Sequence, residues 1–276
     1  MNDLAALRLQ LEWGADEALE EAPIDRLRDV AAPPPPAPLP QGEGEHPAHT
    51  PPPPPAGGGW GDVAARPRAT QAQRAAQAAA VATTPADLRA AIAAFDGCAL
   101  RDTASNLVFA AGDPAATLMV IGDPPSADDD RSGTPFAGPA GDYLDRMLAA
   151  IGLERGRLLL APLIPWRPPG DRPPNPAELA MCLPFLHRLI ALAAPRRLLL
   201  MGPLAARSLL PRTAARRRPR GAWMDAAIPE TSLTLPALPT FSPAELMRDP
   251  NNRRSAWDDL RLLRRTLDAD ADAAQA

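Results

Sequence analysis

Lysine is absent from this chain: all 29 basic residues are arginine. A GC-rich coding bias explains that absence together with the surplus of alanine and proline. It also leaves every cationic contact to a planar guanidinium, a group well shaped for phosphate. Cysteine is scarce, with Cys98 and Cys182 alone, which excludes a disulfide-stapled secreted domain. No apolar run reaches membrane-spanning length; the best stretch, residues 189–201, is broken by Pro195, Arg196 and Arg197. The opening Met1-Asn2-Asp3-Leu4 lacks the basic start and apolar stretch of a signal peptide. A soluble cytoplasmic protein with no membrane partner is therefore expected. Net basic charge is lacking too. At a formal charge of -4 and a pI near 5.5, whole-chain charge carries no nucleic-acid signal.

What is present is unevenly placed. The 276 residues suffice for one substantial domain with extensions, but much of the 46% hydrophobic content is alanine. Leu4, Leu7, Leu11 and Leu19 recur at helical spacing among Glu12, Asp16, Glu17, Glu20 and Glu21. This predicts a short acidic amphipathic helix within residues 1–30, a candidate docking face for a protein partner. Residues 31–84 are mainly Pro, Ala and Gly, with proline runs at 33–36 and 51–55. Little there can bury surface, so a disordered, semi-stiff linker is expected, with recognition by proline-binding modules as its functional alternative. Residues 71–81 read as a partial Ala-rich helix inside it.

One domain is expected over residues 85–267, then a frayed acidic tail over 268–276. Thr84 reads as a helix cap. Apolar runs at 117–121, 158–163, 197–201 and 235–241 read as strands; 139–151, 176–193, 203–210 and 251–267 read as helices. The alternation predicts an α/β protein, a three-layer α/β/α sandwich around a central four-stranded parallel sheet. Ligands of such sheets bind beyond the carboxyl ends of the strands.

Four segments fall at or near those ends. In Gly122-Asp123-Pro124-Pro125-Ser126 the glycine lets backbone pass close to a ligand, and the acid can orient a water. The plainer alternative is an ordinary strand-to-helix loop with a capping Asp. Gly133-Thr134-Pro135-Phe136-Ala137-Gly138 holds an aromatic ring among glycines and prolines, a platform on which an unstacked base can rest. Gly138 and Gly141 lead into a helix whose first amides suit phosphate. Pro162 stands four residues before Trp166-Arg167-Pro168-Pro169-Gly170, and the last segment is Leu238-Pro239-Thr240-Phe241-Ser242-Pro243.

Together these segments resemble the site-forming loops of the family 4 uracil-DNA glycosylases, the iron–sulfur type, over roughly residues 95–267. The resemblance implies that Asp123 stands where the family's water-positioning Glu stands, one methylene shorter, and that Phe136 matches its uracil-stacking Phe. Gly122 and Gly138 shape the substrate site. The family's Asn that reads the uracil edge is replaced by Pro162, which has neither amide nor side-chain donor. The family's Thr-Phe-His-Pro becomes Thr240-Phe241-Ser242-Pro243, so Ser242 stands in for a His that stabilises charge on the uracil oxygen. Leu246, Met247 and Arg248 match the wedge that enters the duplex and touches the backbone. Arg217, Arg218 and Arg220, in a cluster with Arg212 and Arg216, match a basic connector near DNA.

The family's 4Fe–4S cluster needs four cysteines. Cys98 and Cys182 match one of each ligand pair, so no cluster and no metal are expected. His187 reads as a surface or helix-face residue. The function implied is DNA repair: binding of DNA, single-stranded or uracil-containing, with slow hydrolysis of the N-glycosidic bond of a flipped uracil. A catalytically degenerate DNA-binding or scaffold paralogue, and a pocket rebuilt for another deaminated base, are the alternatives.

Overall fold

The structure, a computed structural model, describes residues 69–211, 220–229 and 233–275. The expected helix within residues 1–30, the linker as far as residue 68, and Arg212, Arg216, Arg217 and Arg218 lie outside the described residues.

Helix α1 (Gln71–Ala80) opens on a capping box: Thr70 Oγ1 accepts the Gln73 amide, and the Gln73 side chain accepts the Thr70 amide. Thr84 caps α2 (Pro85–Ala94) in the same way with Asp87. A short α3 (Leu100–Thr103) and a two-residue β1 (Ala111–Gly112) lead to β2 (Leu118–Gly122), buried at every position. Then come α4 (Ala127–Ser132), α5 (Gly138–Ala150), β3 (Leu159–Pro162) and α6 (Pro176–Ala193). The chain continues through β4 (Arg197–Met201), α7 (Pro203–Leu209), β5 (Met224–Ile228) and β6 (Leu233–Thr240). It closes with α8 (Pro243–Arg248) and α9 (Arg253–Gln275).

The sheet order is β1-β3-β2-β4-β6-β5. Strands β3, β2, β4 and β6 are parallel, as the fully apolar runs demand of strands covered on both faces. Two antiparallel edge strands, β1 and β5, extend the expected four to six. One helical layer packs on Met119, Ile121, Leu198 and Leu200 through α1, α2 and α6; the other packs on Val120, Leu160, Leu199 and Leu238 through α5 and α9. The result is an α/β/α sandwich. Helix α6 is, among the described residues, the one long and apolar enough to cross a membrane, yet half of it is buried within this domain.

Three expectations need correction. The folded unit includes α1, ahead of Pro85, because α1 buries Ala75 and Ala79 against α6. Small side chains allow that close approach but give no strong apolar signal. The acidic tail is not frayed: helix α9 runs through it, with Asp270 gripping Arg197 by two bonds of 2.6 Å and Asp268 pairing with Arg264. His187 is buried rather than on the surface.

Candidate active site

The carboxyl ends of β2, β3, β4 and β6 meet around one depression. Gly122 ends β2 in register with Pro162, the last residue of β3. A Cβ at position 122 would stand 2.6 Å from the Phe136 ring, so glycine lets that ring lie on the strand end. Next in the chain, Asp123 turns its carboxyl toward the start of α7. Its Oδ1 accepts the amides of Leu204 at 3.0 Å and Ala205 at 2.9 Å. Gly202, at φ 113°, makes room for it, since any Cβ there would collide with the carboxyl group. The expected capping Asp is thus real, but it caps a helix from a neighbouring strand. Burial pushes its pKa up to about 6, helped by nearby Glu245 and opposed by the two amides.

Phe136 occupies the left-handed region at φ 54°, a strained setting for a bulky residue. Its loop is clamped on both sides. Arg155 Nη2 donates to the carbonyls of Pro135 (2.6 Å) and Phe136 (2.9 Å), while Asp129 Oδ1 accepts the Ala137 amide at 2.6 Å. Asp129 in turn closes the capping box of α4 with Ser126. Gly138 starts α5 beside Asp128, outside the cleft lining.

Ser242 is the N-cap of α8. Its Oγ accepts the Glu245 amide at 3.2 Å and donates to Glu245 Oε2 at 3.3 Å. The hydroxyl expected to face a substrate is therefore engaged in a helix cap. Pro162 contributes an apolar wall.

Gly122, Asp123, Phe136, Pro162 and Ser242 line a single cleft of about 490 Å³, counted with its open mouth. Its side-chain polar groups are mostly spent: Ser126, Asp129 and Ser242 serve caps and the Phe136 loop. Asp123 Oδ2 has no hydrogen-bond partner among the described residues. The cleft runs into a broader groove of about 970 Å³, where Asp123 and Ser242 are joined by Arg172 and Arg248.

The DNA-contact expectations separate. Leu246 is fully buried in the core and cannot act as a wedge where it stands, whereas its neighbour Met247 is 46% exposed. Arg248 is exposed on the groove. Arg220 is exposed but engaged: its Nη2 donates to the Ser255 carbonyl, its Nε lies 3.7 Å from buried Asp259, and it stacks over Phe241. Three residues that shape the site were missed in the sequence: Gly202, Asp129 and Arg155. The Gly-Pro after the third parallel strand and the Ser126-to-Asp129 capping spacing were readable signals for the first two. Nothing local marks Arg155.

The residues do not fit a four-iron cluster. Cys98 and Cys182 are the only cysteines, and both are buried in the same core cluster, so four thiolate ligands cannot be assembled. Among the described residues, no group of three or more His, Cys, Asp or Glu side chains is placed to hold a metal.

A model of the Uracil DNA glycosylase superfamily matches residues 109–261, which includes every strand end around the cleft. The chain belongs to that superfamily, as a divergent member of the family 4 kind. It is 35% identical over 115 residues to a Type-4 uracil-DNA glycosylase of Pyrobaculum aerophilum, a stretch covering 42% of this chain and 59% of that one. With the Type-4 uracil-DNA glycosylase of Sulfurisphaera tokodaii the identity is 28% over 172 residues, 60% of this chain and 77% of the relative. With that of Archaeoglobus fulgidus it is 36% over 109 residues, 40% and 55%. The matched stretch thus spans less than two thirds of two of these three relatives.

Proposed function

We propose that this chain is a DNA-repair glycosylase of reduced power, which binds single-stranded or uracil-containing DNA and hydrolyses the N-glycosidic bond of an extruded uracil. The observation that carries this reading is Asp123 Oδ2, an uncommitted carboxyl oxygen in the same cleft as a clamped aromatic ring. The extruded base stacks on Phe136, its strained loop held ready by Arg155 and Asp129. Asp123, ionised above about pH 6, accepts a proton-side contact from water and aims it at the sugar carbon. Its other oxygen stays on the α7 amides, which fixes the carboxylate in place. Arg248 on the groove meets backbone phosphate. Such chemistry belongs where the cell keeps its DNA, which fits a cytoplasmic protein.

The reduced power follows from what the cleft omits. Pro162 supplies no reader for the base edge, and Ser242 reaches the leaving oxygen only by giving up its cap. One well-placed donor is worth about 3 kcal/mol at a developing anion, roughly a hundredfold in rate. The same two positions favour a second reading, a paralogue that binds DNA and cuts nothing.

Uracil-containing single-stranded DNA, scored for abasic sites, separates them. Slow excision is expected, rising as pH passes through 6, lost by at least about a hundredfold in Asp123→Asn and raised about tenfold or more by Pro162→Asn with Ser242→His. Asn retains an oxygen for the Leu204 and Ala205 amides, so the fold survives that change. Excision unaltered in Asp123→Asn would refute the catalytic reading. No excision by wild type or by the doubly substituted chain, with DNA binding intact, would select the binding paralogue.

A further inference from the structure

Asp259 is a buried charge that the cleft chemistry does not use. It lies on α9 among Ala256, Leu260 and Leu263, each at 0% exposure, and its own carboxyl is closed to solvent. Oδ2 accepts from Thr240 Oγ1 at 2.8 Å, while Oδ1 makes no hydrogen bond among the described residues. Gly221 passes close by; a Cβ there would stand 3.6 Å from that oxygen. A dry carboxylate with an orphan oxygen destabilises a core. Thr240 does not call for one, because an amide oxygen would accept its hydroxyl equally well. The neighbour that does call for a full charge is Arg220, whose Nε lies 3.7 Å from Oδ2. Arg220 is held from three sides. Asp259 attracts Nε, the Ser255 carbonyl accepts from Nη2 at 3.1 Å, and the guanidinium carbon lies 5.7 Å from the centre of the Phe241 ring. A guanidinium has five N–H donors, and these contacts engage two of its three nitrogens. With its side chain 33% exposed, Arg220 keeps donors for a partner arriving from solvent. It lines a depression with Thr240 and Phe241, which lead directly into Ser242 of the cleft; Pro203 lines both that depression and the broader groove. A strand lying in the groove therefore passes beside this guanidinium.

We propose that Asp259 is a positioning residue for DNA: its charge fixes the Arg220 guanidinium at the rim of the cleft, where that group meets a backbone phosphate of the bound strand. The inference rests on the reading of the cleft as a DNA site. Asp259 touches no substrate and acts through Arg220. An arginine fixed in advance loses less rotamer freedom when the strand arrives, which is the return for keeping a charge inside α9. The sign of the effect separates this role from direct electrostatics. A carboxylate acting on phosphate through space repels it, so neutralising Asp259 would tighten binding. Acting through Arg220, the same neutralisation weakens it.

The test uses the full-length chain and uracil-containing single-stranded DNA, titrated over a series of salt concentrations. It is run at about pH 8, where Asp259, pushed up to about 6 by burial, is ionised. Wild type is compared with Asp259→Asn, Arg220→Gln, the double variant and Thr240→Val. Arg220→Gln should lower the slope of log affinity against log salt by about 0.7, the share of one phosphate contact on a single strand. Asp259→Asn keeps an acceptor for Thr240 and removes a negative charge, yet it should bind more weakly and with a slope reduced toward that of Arg220→Gln. The double variant should bind like Arg220→Gln alone, since the two residues act as one unit. Thr240→Val, which breaks the buried bond but leaves the charge, should keep the wild-type slope. Equal or tighter binding by Asp259→Asn, an unaltered slope in Arg220→Gln, additive losses in the double variant, or a reduced slope in Thr240→Val would each overturn the proposal. Wild type without salt-dependent binding would sink the DNA reading itself, and this proposal with it. If Asp259→Asn fails to fold, Arg220→Gln and Thr240→Val decide.

Discussion

Phe136 shows how a single side chain acquires a role from its surroundings. A Phe at φ 54° persists because Arg155 and Asp129 hold the carbonyls and amide around it. Removing the guanidinium in Arg155→Met should cost about 1–3 kcal/mol of stability, since charged hydrogen bonds to two carbonyls are lost. DNA affinity should fall in parallel as the ring loses its fixed pose; equal affinity in filter binding at one salt concentration would deny the clamp its purpose. Asp123, Gly122 and Phe136 were legible in sequence because their loops keep a recognisable order after apolar strands. The inward turn of Leu246 was not, since a short apolar-basic run does not tell which member faces the core. Likewise, Ser242 reads equally as an active-site hydroxyl and as the cap of α8, and only the Glu245 bonds show the cap.

Elements with dense, uniform apolar runs were read well: β2, β3 and β4 are buried over nearly their whole length, and α6 matches its expected span. Weaker signals hid the rest. Strand β5 alternates exposed Asp225 and Ala227 with buried Ala226 and Ile228, too short and too Ala-rich to stand out. Strand β6 starts earlier than expected, and Pro236 and Pro239 within it argue against a strand on sequence grounds. Helix α1 is read as a helix from the sequence but placed in the linker, because its buried face is alanine and gives no strong core signal. Its contribution can be measured by truncation. A chain starting at Pro85 should melt several degrees lower than one starting at Ala69, as the face of α6 beneath α1 loses its cover. Equal melting of the two would return α1 to the linker.

At the scale of the molecule, two carboxyls bury charge at the rim of the sheet. Asp123 and Asp259 are both pushed up to about 6, chiefly by burial; Asp259 keeps a bond from Thr240 Oγ1 at 2.8 Å. In the unfolded chain each carboxyl titrates near 4, so between pH 4 and 6 the folded state binds more protons. Stability from each carboxyl is therefore complete below about pH 4 and lost as pH rises through 6. For fully buried Asp259 the loss is about 3 kcal/mol by pH 7. Melting temperature should fall between pH 4 and 6, and Asp259→Asn, which can still accept from Thr240, should flatten that slope. A wild-type profile that rises across this window would contradict the assignment.

The account rests on a cleft that receives an unstacked base on Phe136. The most direct measurement is the dissociation constant for uracil-containing single-stranded DNA, wild type against Phe136→Ala, at one fixed salt concentration. Stacking on an aromatic ring is worth about 1–3 kcal/mol per base, so binding should weaken roughly 10- to 100-fold in the variant. Identical affinities for the two proteins would mean that no base enters the cleft.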